Sequence, residues 1–354
     1  MFSLDPHYLK DQYFDISFAG LLQQLGRYKG RQDLFKKQTP QTLETLRYSA
    51  MIQSTESSNR IEGVVVTPQR IKALFKNAKP GNRSEAEVLG YKAVLSRIHQ
   101  KPLRLRLTPE SILDFHKEMF RLTDEPVGHF KRRDNTIEER LPDGSWKTRF
   151  VPVSARQTPA FVKETCRRYH DLAEDGQIPD VVRVAALVLD FLCIHPFRDG
   201  NGRLSRLLTT LLLYQNDYDV GRYVALEKIV EDRKEQYYDV LQRSSKNWHL
   251  GKHDIRPWTE FFIVTLVEAY KQFETQLGKL QRRRGNKTVL VEQSVRELPL
   301  QFTLADVEAA CPHVSHDMIR VVLNGMRKEK KVRCLGTGRA ARWERKNRQG
   351  WDKI

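Results

Sequence analysis

Two apolar segments, Val181 to Ile194 and Leu204 to Leu213, are separated only by His195-Pro-Phe-Arg-Asp-Gly-Asn-Gly-Arg203. Both are long enough to be buried helices, although an apolar run does not by itself fix the type of element. Pro196 biases His195 away from the α region, so the first helix should stop there. Asp199-Gly200-Asn201-Gly202 is strong turn chemistry. The chain is therefore expected to build a helix-turn-helix junction whose turn delivers backbone N–H groups to the start of the second helix. Such a helix start is a natural anion site. His195, Asp199, Asn201, Arg198, Arg203 and Arg206 stand around it: a base, a hard oxygen ligand, an amide and three cations.

Composition narrows the setting. With 354 residues there is room for two or three domains with real cores, and 40% hydrophobic residues exclude a disordered chain. No apolar run reaches the length of a membrane span, since Asp190 interrupts the best one. The start, Met1-Phe-Ser-Leu-Asp-Pro-His, has neither the basic nor the apolar part of a signal peptide. Cys166, Cys193, Cys311 and Cys334 are scattered without a zinc or disulfide spacing. A reducing, cytoplasmic location with no membrane contact is the expectation. The net charge of +17 calls for an anionic partner, and residues 281–354 concentrate it, with 17 Lys or Arg against 8 Asp or Glu.

Along the chain, Gln41 to Ile61 reads as one helix, with Gly63 as its C-terminal cap. Further helices are expected from Pro68 to about Lys76, from Ser84 to Gln100, from Thr108-Pro109 to Arg121, and from about Pro159 to Glu174. Polar segments flank Leu141-Pro-Asp-Gly144 and suggest a hairpin. After the motif helices, Gly221 to Lys246 and Ile255 to Arg284 read as two helices, and Arg282 to Lys287 as a linker. The tail reads helix (Leu304 to Ala310), turn (Pro312-His313), helix (Asp317 to Glu329, capped by Ser315), then strands Val332 to Leu335 and Ala340 to Trp343 about Gly336-Thr-Gly338. That order is the outline of a winged helix-turn-helix.

The stretch from His195 to Arg206 resembles the signature of the Fic family, His-x-Phe-x-Asp/Glu-Gly-Asn-Gly-Arg-x-x-Arg, at every defined position. Fic proteins are mainly AMP transferases that move AMP from ATP to a Tyr, Thr or Ser hydroxyl. The resemblance implies a mainly α fold, a Fic-type helical core with a β-hairpin flap. Such chemistry needs a base for the hydroxyl, donors for the phosphate oxygens and neutralisation of the leaving pyrophosphate. His195 is the motif residue suited to be the base, and Asp199 suits Mg²⁺. Gly200, Asn201 and Gly202 suit the α- and β-phosphates. The resemblance assigns Arg203 to the β-phosphate region and Arg206 to the γ-phosphate; Arg198 falls at an unspecified position and Phe197 is expected in the core. Tyr237 and Tyr238 resemble the family's Tyr-Tyr-x-x-Leu stretch on the adenine side, with at least one of the pair expected to be core. Arg149-Phe-Val-Pro-Val resembles the end of the flap that aligns the target by strand pairing.

Ser58 to Gly63 resembles the family's inhibitory motif, Ser/Thr-x-x-x-Glu-Gly/Asn. Glu62 at a helix C-terminus opposes the macrodipole, a feature that an exposed Glu can simply tolerate. By the resemblance, Glu62 pairs with Arg206 and fills the γ-phosphate space. The expected organisation is an N-terminal helical region (1–100) with an inhibitory helix over about 41–62, a catalytic core (101–284) with the flap over about 134–153, and a winged helix-turn-helix (285–354). The expected function is autoinhibited Mg²⁺/ATP-dependent AMP transfer to a protein hydroxyl, including its own. The alternatives are removal of AMP from modified protein, and a DNA-binding regulator whose Fic site senses a nucleotide. ATP and a hydroxyl-bearing target docked at the flap are the expected partners; DNA on the tail and a homo-oligomer are left open.

Overall fold

The computed structural model describes residues 2–12, 14–36, 40–124, 127–140, 143–282, 286–312, 314–336 and 341–346. The chain is mostly helical and divides into two compact units, Met1–Phe273 and Glu274–Ile354. The division falls inside a helix, upstream of the linker expected at residues 282–287.

The first unit begins with α1 (Pro6–Lys10), α2 (Ile16–Lys36), α3 (Pro40–Ile61), α4 (Pro68–Phe75), α5 (Arg83–Gln100) and α6 (Pro109–Met119). A hairpin follows, β1 (Ile137–Arg140) and β2 (Trp146–Phe150). Then come α7 (Thr158–Asp175), α8 (Asp180–Ile194), α9 (Asn201–Gln215), α10 (Leu226–Asp232), α11 (Lys234–Ser245) and α12 (Arg256–Arg282). The all-round apolar character of α8 makes it the central helix: nearly every residue from Val181 to Ile194 is buried. It packs against α7 and α9, while α3 packs against α5 and α10, so residues 1–100 share this body with the central helices.

The long helix expected over Gly221 to Lys246 is in fact two. Gly221 lies in a short 3₁₀ turn, and Arg233, with φ −121° and ψ 33°, ends α10 and begins α11. The break lets the two halves serve different neighbours. Helix α10 packs on α3, where Glu231 accepts from Arg60 Nε at 2.6 Å, and α11 packs on α8. No helix was expected before Gln41, yet α1 and α2 are there, and the segment ahead of α1 is anchored in the core. Asp190, fully buried in α8, accepts from Ser3 N at 2.7 Å, Leu4 N at 3.1 Å and Trp248 Nε1 at 2.7 Å. Burial pushes its carboxyl up to about 6.

The hairpin pairs Ile137 with Phe150 and Arg140 with Trp146, with an irregularity after Ile137. A bidentate bond from Arg149 to Glu139, at 2.8 and 2.9 Å, ties the two strands. Leu141 and Pro142 of the expected turn lie outside the described residues.

The second unit contains α13 (Asn286–Glu297), β3 (Gln301–Thr303), α14 (Leu304–Ala310), α15 (His316–Lys328), β4 (Val332–Leu335) and β5 (Arg342–Arg345). Helix α13 and strand β3 were not read from the sequence, and β5 is shifted from the expected Ala340 to Trp343. The strands form an antiparallel sheet in the order β3-β5-β4. Val295, Phe302, Ile319, Leu323 and Met326 sit in its core. Thr303 and Asp306 cap α14 reciprocally. His313 and residues 337–340, parts of the two expected turns, lie outside the described residues.

Candidate active site

Helix α8 ends with His195 N–H bonded to Phe191 O at 2.9 Å, and His195 takes φ +50°, ψ 61°. Pro196 disfavours the right-handed conformation, and the residue goes to the left-handed region rather than the extended one. For a non-glycine residue this costs about 1–3 kcal/mol and persists only where the surroundings enforce it. The enforcement is visible. Lys131 donates from its backbone N to Pro196 O at 2.8 Å and from Nζ to Ile194 O at 3.1 Å. Asn201 accepts from Phe197 N at 2.9 Å and donates to Phe197 O at 2.8 Å. The Phe197 ring stacks on His116 with centroids 3.8 Å apart.

Gly200 is required at the turn. Its φ is +83°, and a Cβ there would fall 2.6 Å from the Phe120 ring. It leads into α9, whose first residues are Asn201 and Gly202. The Asn201 amide is fully engaged inside the loop, so its contribution to an anion would come from the backbone N–H rather than the side chain.

His195 Nδ1 lies 3.4 Å from Leu192 O. That carbonyl favours a proton on Nδ1 and leaves Nε2 as the basic nitrogen. Burial, and next the nearby Lys131 ammonium, push the imidazole down to about 4, so it is neutral at physiological pH. Burial likewise pushes Lys131 down, to about 8.

The cations are deeper than the sequence suggested. Arg203 is 1% exposed; it pairs with Glu87 of α5, approaches Asp199 at 3.4 Å and lies 5.0 Å from the Phe120 ring centroid. Arg206 Nε donates to Ser58 Oγ at 2.8 Å, and Nη2 to Ser58 O at 2.9 Å and Glu62 Oε1 at 2.8 Å. Its Nη1 is buried with no hydrogen-bond partner among the described residues. Glu62 is presented by the end of α3. There Val64 N bonds to Asn59 O and Gly63 N to Arg60 O, with Gly63 left-handed, a Schellman closure. The Glu62 carboxylate lies over Gly202: a Cβ on that glycine would come 2.1 Å from Oε1.

Glu62, His195, Gly202, Tyr237 and Tyr238 line one cleft of about 1060 Å³ with the inner side of the hairpin. Tyr237 is buried, 5.9 Å from the Trp258 ring, and Tyr238 is partly exposed with Arg149 5.6 Å from its ring. Asp199 borders a second cleft, with its side chain 52% exposed. Among the described residues no group of three or more His, Cys, Asp or Glu is placed to hold a metal ion. Asp199 nevertheless fits Mg²⁺, which often takes one carboxylate and completes its shell with phosphates and water. Glu87, Lys131 and the Ser58 carbonyl were not read from the sequence. The first two are isolated charges with no motif spacing, and main-chain acceptors leave no sequence signal.

Residues 106–213 match the model of the Fic/DOC family. A protein adenylyltransferase Fic of Culex quinquefasciatus is 28% identical over 223 residues, covering 60% of this chain and 39% of its own. One of Nematostella vectensis is 27% identical over 225 residues, covering 60% and 46%. The chain thus spans less than half the length of these curated relatives. Among solved structures, a Fic family protein from Desulfovibrio desulfuricans superposes over 95% of this chain and 98% of its own, with TM-score 0.62 and 19% identity. A Fic domain containing signaling protein from Bacteroides thetaiotaomicron covers 70% and 95%, with TM-score 0.58 and 22% identity. Residues 106–213 are therefore similar to the Fic/DOC family, and the chain shares its fold with these structures.

Proposed function

We propose that this chain is an autoinhibited adenylyltransferase, moving AMP from ATP to a Tyr, Thr or Ser hydroxyl of a protein. The observation that carries the reading is the seat of Glu62. The space beside Gly202, Arg206 and the start of α9 is filled by the chain's own carboxylate, while Arg206 Nη1 has no hydrogen-bond partner among the described residues. In the transfer step, His195 Nε2 takes the hydroxyl proton as the hydroxyl oxygen bonds to the α-phosphorus and the bond to the β-phosphate breaks, releasing pyrophosphate. A neutral imidazole at the cleft suits that role. With Glu62 displaced, Gly202 would leave the start of α9 open to phosphate oxygens, and Gly200 would shape the turn that leads into it. Arg206 would take the γ-phosphate once Glu62 leaves, and Arg203 would stabilise the β-phosphate side. Asp199 would hold Mg²⁺, which when bound would neutralise charge on the phosphates. Tyr238 and, deeper, Tyr237 would wall the adenine side. The target would align along β1, whose outer edge pairs with no other strand among the described residues.

Intact-protein mass spectrometry after incubation with Mg²⁺-ATP tests this reading, wild type beside Glu62→Gly. Addition of AMP to the variant supports it; no addition to the variant or to any offered protein contradicts it.

Removal of AMP is a second reading. It rests on Glu62 being partly exposed in the cleft that holds His195, where a carboxylate can place a water. Glu62-dependent AMP release from a modified protein would favour it. We read the second unit as a winged helix-turn-helix, from the succession α14, turn, α15 and the β4–β5 hairpin. A gel shift with a salt series on the whole chain, compared with a chain truncated after Phe273, tests whether its positive charge engages DNA.

A further inference from the structure

We infer that the target segment is acidic beside the hydroxyl it presents, and that its carboxylates enter the second cleft, between residues 129–135 and 197–199. The inference rests on the reading above that a target strand pairs along β1. This cleft has a volume of about 640 Å³ and is bordered by Lys131, Arg132, Arg133 and Arg198. The three arginines are exposed, and none forms a hydrogen bond or ion pair among the described residues. Of the two acids that border it, Asp199 shares its charge with Arg203 and Arg83, and Asp134 accepts from Ala155 N at 2.6 Å. Burial lowers Lys131 only to about 8, so it stays largely cationic at neutral pH. The cleft therefore presents an excess of positive charge, with Lys131, Arg132, Arg133 and Arg198 against Asp134 and Asp199.

Its position selects a peptide. The chain runs directly from Arg132 and Arg133 into β1 at Ile137. An extended segment advances about 3.3 Å per residue, so a strand paired with β1 brings its next few residues to these arginines. Nucleic acid is the less suitable occupant, since Phe120 and Phe197 of this cleft are each 1% exposed and offer no stacking platform for bases.

The test is fluorescence anisotropy of labelled peptides on the full chain. The peptides carry one Tyr or Thr flanked by Asp and Glu, by Ser and Gly, or by Lys; binding is measured at low and high salt. Exposed charge pairs each contribute a few-fold, so the acidic peptide should bind about tenfold more tightly than the neutral one at low salt. The advantage should shrink with salt. Arg132→Glu with Arg133→Glu should abolish it while leaving ATP-analogue binding unchanged. Equal binding of acidic and neutral peptides, an advantage that survives the charge reversal, or tighter binding of a single-stranded oligonucleotide at these arginines would each overturn the inference. Failure of AMP transfer with the acidic preference intact would instead count against the proposed reaction.

Discussion

Glu62 Oε1 occupies the position where a side chain on Gly202 would begin, and the same oxygen is held by Arg206 Nη2 at 2.8 Å. Gly202 is not left-handed, so Ala is conformationally acceptable there. The atom it strikes is the end of a flexible side chain, which can swing away. In a Glu62→Gly background that atom is absent, and Gly202→Ala should cost less than about 1 kcal/mol of stability. It should not activate the enzyme, because the new methyl group fills the space Glu62 vacates. Binding of an ATP analogue, measured by calorimetry in both backgrounds, checks this. Undiminished binding in the double variant would place the phosphates elsewhere.

His195 should titrate far below an ordinary imidazole, which has a pKa of about 6.5. Its folded value is about 4, lowered by burial and then by Lys131. The base form is the neutral one, so transfer should persist as pH falls below 6.5 and be lost only as pH passes down through the folded value. NMR titration of the imidazole gives the pKa directly, and an unshifted value would contradict the burial argument. His195→Ala should lower the transfer rate about 10²- to 10⁴-fold with ATP binding largely kept.

Arg203 has a structural cost that its place in the loop motif does not reveal. Its guanidinium pairs with Glu87, whose side chain is 5% exposed. Arg203→Ala leaves that carboxylate buried with Arg83 beside it, and should lower stability by about 3 kcal/mol. Urea midpoints for Arg203→Ala, Glu87→Gln and the double variant measure the coupling. Additive effects would show that the pair contributes nothing. Any loss of ATP binding in Arg203→Ala has to be read after this correction.

Asp190→Ala should unfasten the segment ahead of α1. It strands the Ser3 N–H, Leu4 N–H and Trp248 indole N–H in the core, at about 1–3 kcal/mol each before relaxation. A loss of about 3 kcal/mol or more in denaturant unfolding is expected, with faster amide exchange at residues 3 and 4. The Asp190 carboxyl is raised to about 6 in the fold. Its contribution therefore favours the folded state most below the unfolded carboxylate pKa of about 4, and that stabilisation is lost as pH rises through about 6. Asp190→Asn should flatten this dependence.

These residues also mark what the sequence made legible. The junction between α8 and α9 was readable because two apolar runs, a proline and two glycines impose local rules that act wherever the segment lies. Helix α3 and its glycine cap were readable for the same reason. Helix α2 was not, since its mixture of Leu, Gln, Gly, Arg and Lys carries little apolar periodicity. The break at Arg233 was hidden because no Pro or Gly marks it; partner choice by α10 and α11 decides it. Asp190 interrupts an apolar run, a visible signal of something polar in the core, but its partners at Ser3, Leu4 and Trp248 are long-range. Glu87 and Lys131 hold the loop from distant segments, a relation that spacing cannot show.

The brake and the reaction are tested together by the Glu62→Gly variant. Competition for one cation is the physical basis: while Glu62 holds Arg206, the γ-phosphate cannot. A shift from about 1% to 50% productive complex needs only about 2.7 kcal/mol, within reach of a partly buried, charge-assisted pair. The measurement is AMP incorporation by intact-protein mass spectrometry with Mg²⁺-ATP, over a range of ATP concentrations, for wild type, Glu62→Gly, and Glu62→Gly combined with Arg206→Ala or His195→Ala. The account predicts more incorporation in Glu62→Gly than in wild type, much of that gain lost with Arg206→Ala, and none left with His195→Ala. A folded Glu62→Gly protein that incorporates no more AMP than wild type at any ATP concentration would contradict it.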